Sequence, residues 1–196
     1  MKKIGLSIII IIASFASIFA QKKDNGIGIR LGEPMGVSYK RYLPDNRAIE
    51  VILGSAARGW SSSYYRNSFE HYSKYDAYDY RSHKVKSLVY LQARYLFQNN
   101  ILIEGMPGKL DWYWGFGGLL KSAQVEYHYR NKIAPFTNYV DKKNDIDLGG
   151  EAILGMEYAF DNIPMSIFAE ISLMVEFVDR PVAFRSFTGI GARYNF

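Results

Sequence analysis

From residue 166 to residue 177 apolar and polar positions alternate without a break. Ile167, Ala169, Ile171, Leu173, Val175 and Phe177 hold one parity, and Ser166, Phe168, Glu170, Ser172, Met174 and Glu176 hold the other. A period of two over this length predicts a strand with one wholly apolar face, because apolar positions in a helix recur every three or four residues. The same alternation recurs elsewhere. Over 148–160, Leu148, Ala152, Leu154, Met156, Tyr158 and Phe160 oppose Glu151 and Glu157; over 110–120, Leu110, Trp112, Trp114, Phe116 and Leu120 oppose Asp111, Tyr113 and glycines. Val89, Leu91, Ala93 and Tyr95 oppose Gln92 and Arg94, and Ile190, Ala192, Tyr194 and Phe196 oppose Arg193 and Asn195. Three shorter runs near the front carry Arg30, Lys40 and Glu50 on their polar faces.

These runs predict eight strands, at 26–32, 36–43, 48–57, 87–97, 109–121, 147–160, 165–178 and 187–196. Pro34, Pro44, Pro107, Pro135, Pro164 and Pro181 all fall between them, as expected of a residue that cannot donate to a ladder. Turns after strands two and six are tight, and the connections after strands three and five are long. That order predicts an all-β fold, an eight-stranded antiparallel up-and-down transmembrane barrel, with short turns on one side and outer loops, 58–86 and 121–146, on the other. Under this topology Tyr95, Trp112, Trp114, Tyr158, Phe160, Tyr194 and Phe196 gather at one edge as an aromatic girdle. The polar faces then line a lumen just wide enough to be filled by side chains. Arg30, Lys40, Arg94 and Arg193 are expected to pair there with Glu50, Asp111, Glu151, Glu157, Glu170 and Glu176, since an unpaired buried charge is costly. Arg41 is the exception on the lipid face, near enough to a strand end to snorkel.

Lys2 and Lys3 precede an apolar run over 4–20, followed abruptly by Gln21, Lys22, Lys23 and Asp24. This is the layout of a secretory signal peptide cleaved near Ala20, so the expected organisation is a leader, 1–20, and one barrel domain, 21–196, exported to the outer membrane. The absence of cysteine excludes disulfides, thiolate metal sites and a cysteine nucleophile. A net charge of +5 that includes Lys2 and Lys3 is too mild to argue for nucleic acid. Aromatics at 16% place the chain far from disordered compositions.

With these strands assigned, the chain resembles the small outer-membrane β-barrel proteins of Gram-negative bacteria, in particular the PorT-like and OmpX-like barrels of Bacteroidota type. The resemblance is carried by the terminal strand, with Ile190, Ala192, Tyr194 and Phe196 at alternate positions, and by the segments GIGIRLGEPMGVSYKRYL (26–43), WYWGFGG (112–118) and GMEYAFDNIP (155–164). It implies a monomeric protein in contact with outer-membrane lipid and lipopolysaccharide. It also implies that the terminal strand, ending at Phe196, is read as a signal by the barrel assembly machinery.

No motif for catalysis or cofactor binding accompanies this pattern. His71, His83 and His128 lack metal-ligand spacing, so no metal and no cofactor are expected. Ser122, Glu126 and His128 offer a serine, histidine and glutamate set like that of lipid A deacylases of this architecture, which makes a lipid-modifying enzyme the alternative to a structural or surface-binding role. A soluble periplasmic ligand-binding barrel is the third. The loop tyrosines Tyr64, Tyr65, Tyr72, Tyr75, Tyr78 and Tyr80 admit two readings, an exposed contact surface for a glycan or protein partner and packing at the rims of extended hairpins.

Overall fold

The computed structural model describes residues 24–55, 62–71, 73–176 and 183–196; the proposed leader lies outside them. Eight strands form a closed antiparallel barrel in which each strand pairs with its sequence neighbours and β1 (Asn25–Gly32) pairs with β8 (Ala183–Asn195). Between them run β2 (Met35–Leu43), β3 (Arg47–Ser55), β4 (Tyr78–Ile101), β5 (Lys109–Asn131), β6 (Asn138–Ala159) and β7 (Met165–Glu176). A helix, α1 (Ser62–His71), and a 3-10 turn (Ser73–Tyr75) occupy part of the β3–β4 connection. Asp45 and Asn46 both take positive φ, 60° and 57°, in the turn that joins β2 to β3; short polar side chains tolerate this left-handed backbone best after glycine.

Three strands run far beyond the expected limits. β4, β5 and β6 have 24, 23 and 22 residues, against 8, 9 and 9 for β1 to β3. Most of what was expected as outer loop in 121–146 is therefore strand, and in 58–86 the strand begins at Tyr78. The reason is legible in β5. Up to Leu120 the even positions Trp112, Trp114, Phe116 and Leu120 are apolar and face outward; from Ala123 onward the odd positions Ala123, Val125, Tyr127 and Tyr129 are apolar and face inward. The backbone runs on in unbroken register with β6, while the outward side chains change from apolar to polar and the inward ones from polar to apolar. The alternation thus inverts its phase and looks broken.

β3 pairs with β4 only from Tyr90 downward, and β7 with β6 only from Gly149 downward. Among the described residues β4, β5 and β6 have no further strand partner above these points, over about ten residues or roughly 30 Å along the strand. Two register shifts in β4, between Tyr80 and Ser82 and between Val85 and Ser87, bend this part of the strand, and α1 packs against it.

Candidate functional site

The barrel is inside out relative to a soluble protein. Ile29, Leu173, Ile190 and Phe116 are 58% exposed or more, while Arg30, Lys40 and Glu50 are fully buried. The outward face of all eight strands forms an apolar band, and the rings predicted as a girdle gather at its lower edge, where Phe97 stacks on Trp114 with centroids 4.5 Å apart.

Inside, four cations and four carboxylates form one connected network. Glu170 on β7 accepts hydrogen bonds from Arg30 Nε at 2.9 Å, Arg94 Nη1 at 2.7 Å and the Tyr113 hydroxyl at 2.8 Å. Arg94 grips Glu151 through Nε and Nη2 at 2.8 and 2.9 Å, the bidentate geometry for which guanidinium is suited. Arg94 also lies 3.5 Å from Glu50, which is paired with Arg193. Arg193 in turn lies 3.3 Å from Glu157, which accepts from Lys40, from the Tyr42 hydroxyl at 2.6 Å and from Ser166 at 2.8 Å. Equal numbers of opposite charges, each with several partners, are what such burial requires. Glycines make room for it. A Cβ at Gly189 would come within 2.4 Å of the Arg30 guanidinium, and one at Gly155 within 2.4 Å of the Tyr113 ring.

Of the ten charges expected in this network one lies apart from it, and the side chain of Glu176 lies outside what is described. Asp111 sits at the lower mouth, bonded to Lys109 at 2.7 Å and Asn100 at 3.1 Å, beside a recess of about 250 Å³ shared with Asp24, Tyr42 and Gln98. Glu176 stands at the upper end of β7, paired in register with Gly149 and Ala183. Conversely, Tyr42, Gln92, Tyr113 and Ser166 join the network as neutral partners, and a buried Lys121–Asp147 pair sits above it. Lys121 shares the inward parity of Asp111 and Tyr113, so it was legible once β5 was carried past residue 120.

The upper lumen is closed by aromatic side chains. α1 places Tyr65 and Phe69 one helical turn apart, and both are buried with Tyr75, Tyr127 and Tyr129 in a cluster that includes Val85, Leu88 and Leu119. Phe69 stacks on Tyr75 at 4.3 Å and tilts against Tyr127 at 5.4 Å. The exposed-surface reading is therefore corrected for Tyr65 and Tyr75. Tyr65 and Tyr75 face inward, and Tyr78 and Tyr80 are half-buried against the same cluster, because inward rings on β4 and β5 give them an apolar surface to cover. Tyr64 lies in α1, and the description covers neither its side chain nor Tyr72.

His71 bonds the Asn67 carbonyl at 2.8 Å, and His83 Nδ1 lies 2.6 Å from the Tyr80 hydroxyl. Burial lowers the His83 pKa. On the 3-10 turn, Lys74 donates to Asp141 at 2.6 Å and holds that carboxyl below its ordinary range despite partial burial, with help from the Tyr75 hydroxyl. His128 Nε2 lies 3.2 Å from Glu126, but Ser122 is six residues away on the same extended strand, roughly 20 Å distant. These three residues do not assemble a triad. Among the described residues no group of three or more histidine or acidic side chains is placed to hold a metal.

The architecture defines the class of the protein as an eight-stranded antiparallel β-barrel with a packed, charged interior. No protein-family model and no curated protein matches the chain. Among solved structures it is similar to the N-terminal β-barrel domain of Pseudomonas aeruginosa OprF, with 14% identity, 90% of this chain and 100% of that chain covered, and a TM-score of 0.38.

Proposed function

We propose that the protein spans the outer membrane of a Gram-negative cell as a sealed barrel and acts as a structural or surface-displaying element, with the β4–β6 outcrop and its aromatic cap outside the cell. The observation that carries this reading is the reversed polarity of the barrel, with isoleucine, leucine and phenylalanine outermost and ion pairs at the centre. In water such a surface would aggregate; in hydrocarbon it is the stable arrangement, and the closed ring leaves no strand edge unpaired in the apolar band. The N-terminal leader supports export. The packed lumen supports a role other than an open pore, and the terminal strand with Tyr194 and Phe196 supports delivery by the barrel assembly machinery.

The test is fractionation with the outer membrane, a heat-dependent shift in gel migration, and planar-bilayer recording. The expected result is membrane residence, a shift between unboiled and boiled samples, and no stable conductance. Recovery as a soluble periplasmic protein would overturn the reading in favour of a ligand-binding barrel.

A further inference from the structure

We infer that the lower mouth of the barrel is a binding site for an alkylammonium group, a cationic head on an aliphatic stem of the kind a lysine side chain carries. The site goes beyond the membrane-spanning reading above, which only sets the compartment, the periplasm, that supplies the ligand.

The recess of about 250 Å³ beside Asp111 has room for about eight waters. Strand register brings its side chains together. Asp111 stands between Asn100 and Glu157 in the β4–β5 and β5–β6 ladders. Asn195 lies opposite Gly26 in the β1–β8 ladder, where a Cβ would come within 2.8 Å of the Asn195 Oδ1, so glycine at 26 leaves the amide its place. Gln98 is fixed by its backbone N–H, which donates to the Asn46 carbonyl at 2.7 Å.

A buried acceptor there has nothing to accept from. Asn195 and Gln98 both line the recess and are 7% and 8% exposed, and among the described residues Asn195 Oδ1 has no hydrogen-bond partner. Buried polar groups in native structures are almost always answered. A side chain this deep at the edge of a cavity therefore calls for a donor that enters the cavity.

The lining determines what kind of donor. It carries the carboxylates of Asp24, Asp111 and Glu157 against one cation, Lys109. Glu157 is answered from the lumen side by Lys40 and Arg193. Asp111 accepts from Asn100 on one oxygen and Lys109 on the other, and each oxygen keeps a second acceptor position. An anion would meet these carboxylates at close range. A metal ion fits poorly, because among the described residues no three acidic or histidine side chains converge to hold one. An ammonium has three donors and no acceptor, the complement of this set. Leu43, Ala159 and Phe160 complete the wall and give a methylene stem an apolar surface to lie on.

The test titrates the full-length mature protein in nanodiscs of phosphatidylcholine, a lipid with no net charge to attract amines, and follows the side-chain amide NMR signals of Asn195 and Gln98. Heat-dependent gel migration checks folding. The probes are Nα-acetyl-lysine methylamide, n-pentylamine and Nα-acetyl-norleucine methylamide. We expect the first two to shift both signals saturably and the third, which lacks the ammonium, to shift neither. Tighter binding of the lysine derivative identifies a peptide side chain as the source, and equal binding a free alkylamine. Asp111→Asn should weaken the lysine derivative about tenfold, as expected when a hydrogen bond loses its charged partner. Lys109→Gln, at an exposed side chain, should strengthen it about two- to fivefold by removing a competing cation. Norleucine binding as tight as that of the lysine derivative overturns the inference, as does an affinity that neither variant moves. So does the absence of any saturable shift, the amides then being satisfied by water alone. In each of those outcomes the protein has still inserted, so the membrane reading stands. A protein that stays in solution removes that reading instead, and the same titration in buffer still decides the site.

Discussion

Arg94 on β4 and Glu170 on β7 meet across the lumen at 2.7 Å, although 76 residues separate them in the chain and two strands lie between theirs in the ring. The contact ties opposite walls of the barrel together through groups that are both fully buried. Glu170 also accepts from two guanidinium groups and a tyrosine hydroxyl at once.

Glu170→Ala is therefore expected to destabilise the folded barrel by about 3–5 kcal/mol, because it leaves Arg30 and Arg94 with excess buried charge. Glu126→Ala, on the outer face, should cost less than about 1 kcal/mol. Urea unfolding in vesicles measures both, and equal costs would mean that the lumen is hydrated enough to screen its charges.

Leu173→Arg projects a charge from the apolar band, where Leu173 is 62% exposed. Its expected cost in lipid is about 2–4 kcal/mol if the site lies near the midplane. Gln124→Arg, beyond Leu120 on the outward face of β5, should be close to neutral. The same unfolding experiment compares them, and a tolerated Leu173→Arg would argue against lipid on that face.

Phe69→Ala removes the ring at the centre of the aromatic cap. The expected outcome is a cap weakened by about 3–5 kcal/mol over an intact barrel. Limited proteolysis should then cut within or beside α1 faster than in the parent protein, while the heat-dependent migration shift persists. Loss of the shift would mean that the cap and the barrel fold as one unit.

The cap should also loosen on acidification. His83 is held neutral by burial among the Tyr65, Tyr80 and Tyr127 rings, so its folded pKa lies below the unfolded value. Stability is complete above that unfolded value, about 6.5, and falls as pH drops through the folded one. Asp141, whose pKa is depressed by Lys74, adds a second loss at lower pH, below the ordinary carboxylate range. Amide exchange in α1 followed from pH 8 to pH 2 should rise in this order, and His83→Gln should remove the first step alone.

The pattern of alternation determined the strand count, the antiparallel order, the choice of outward face and eight of the lumen charges, because a period of two assigns each side chain to one side of a sheet before any partner is known. It also carried the girdle, since parity and strand direction together set the height of Trp112, Trp114 and Tyr194. What it did not determine was which charge meets which. Arg94 faces Glu50 across the β3–β4 ladder, yet its closest contacts are with Glu151 and Glu170 on β6 and β7, because closing the sheet into a narrow ring brings opposite walls within side-chain reach. The outcrop was hidden for a related reason. Alternation marks a strand by its contrast with one environment, and where β4 to β6 leave the apolar band the contrast reverses, so that only the continuous ladders of the folded barrel join the two halves of each strand. The inward turn of Tyr65 and Tyr75 was likewise decided by tertiary structure, since an aromatic residue in a connection has no preferred side until a wall of other rings stands beside it.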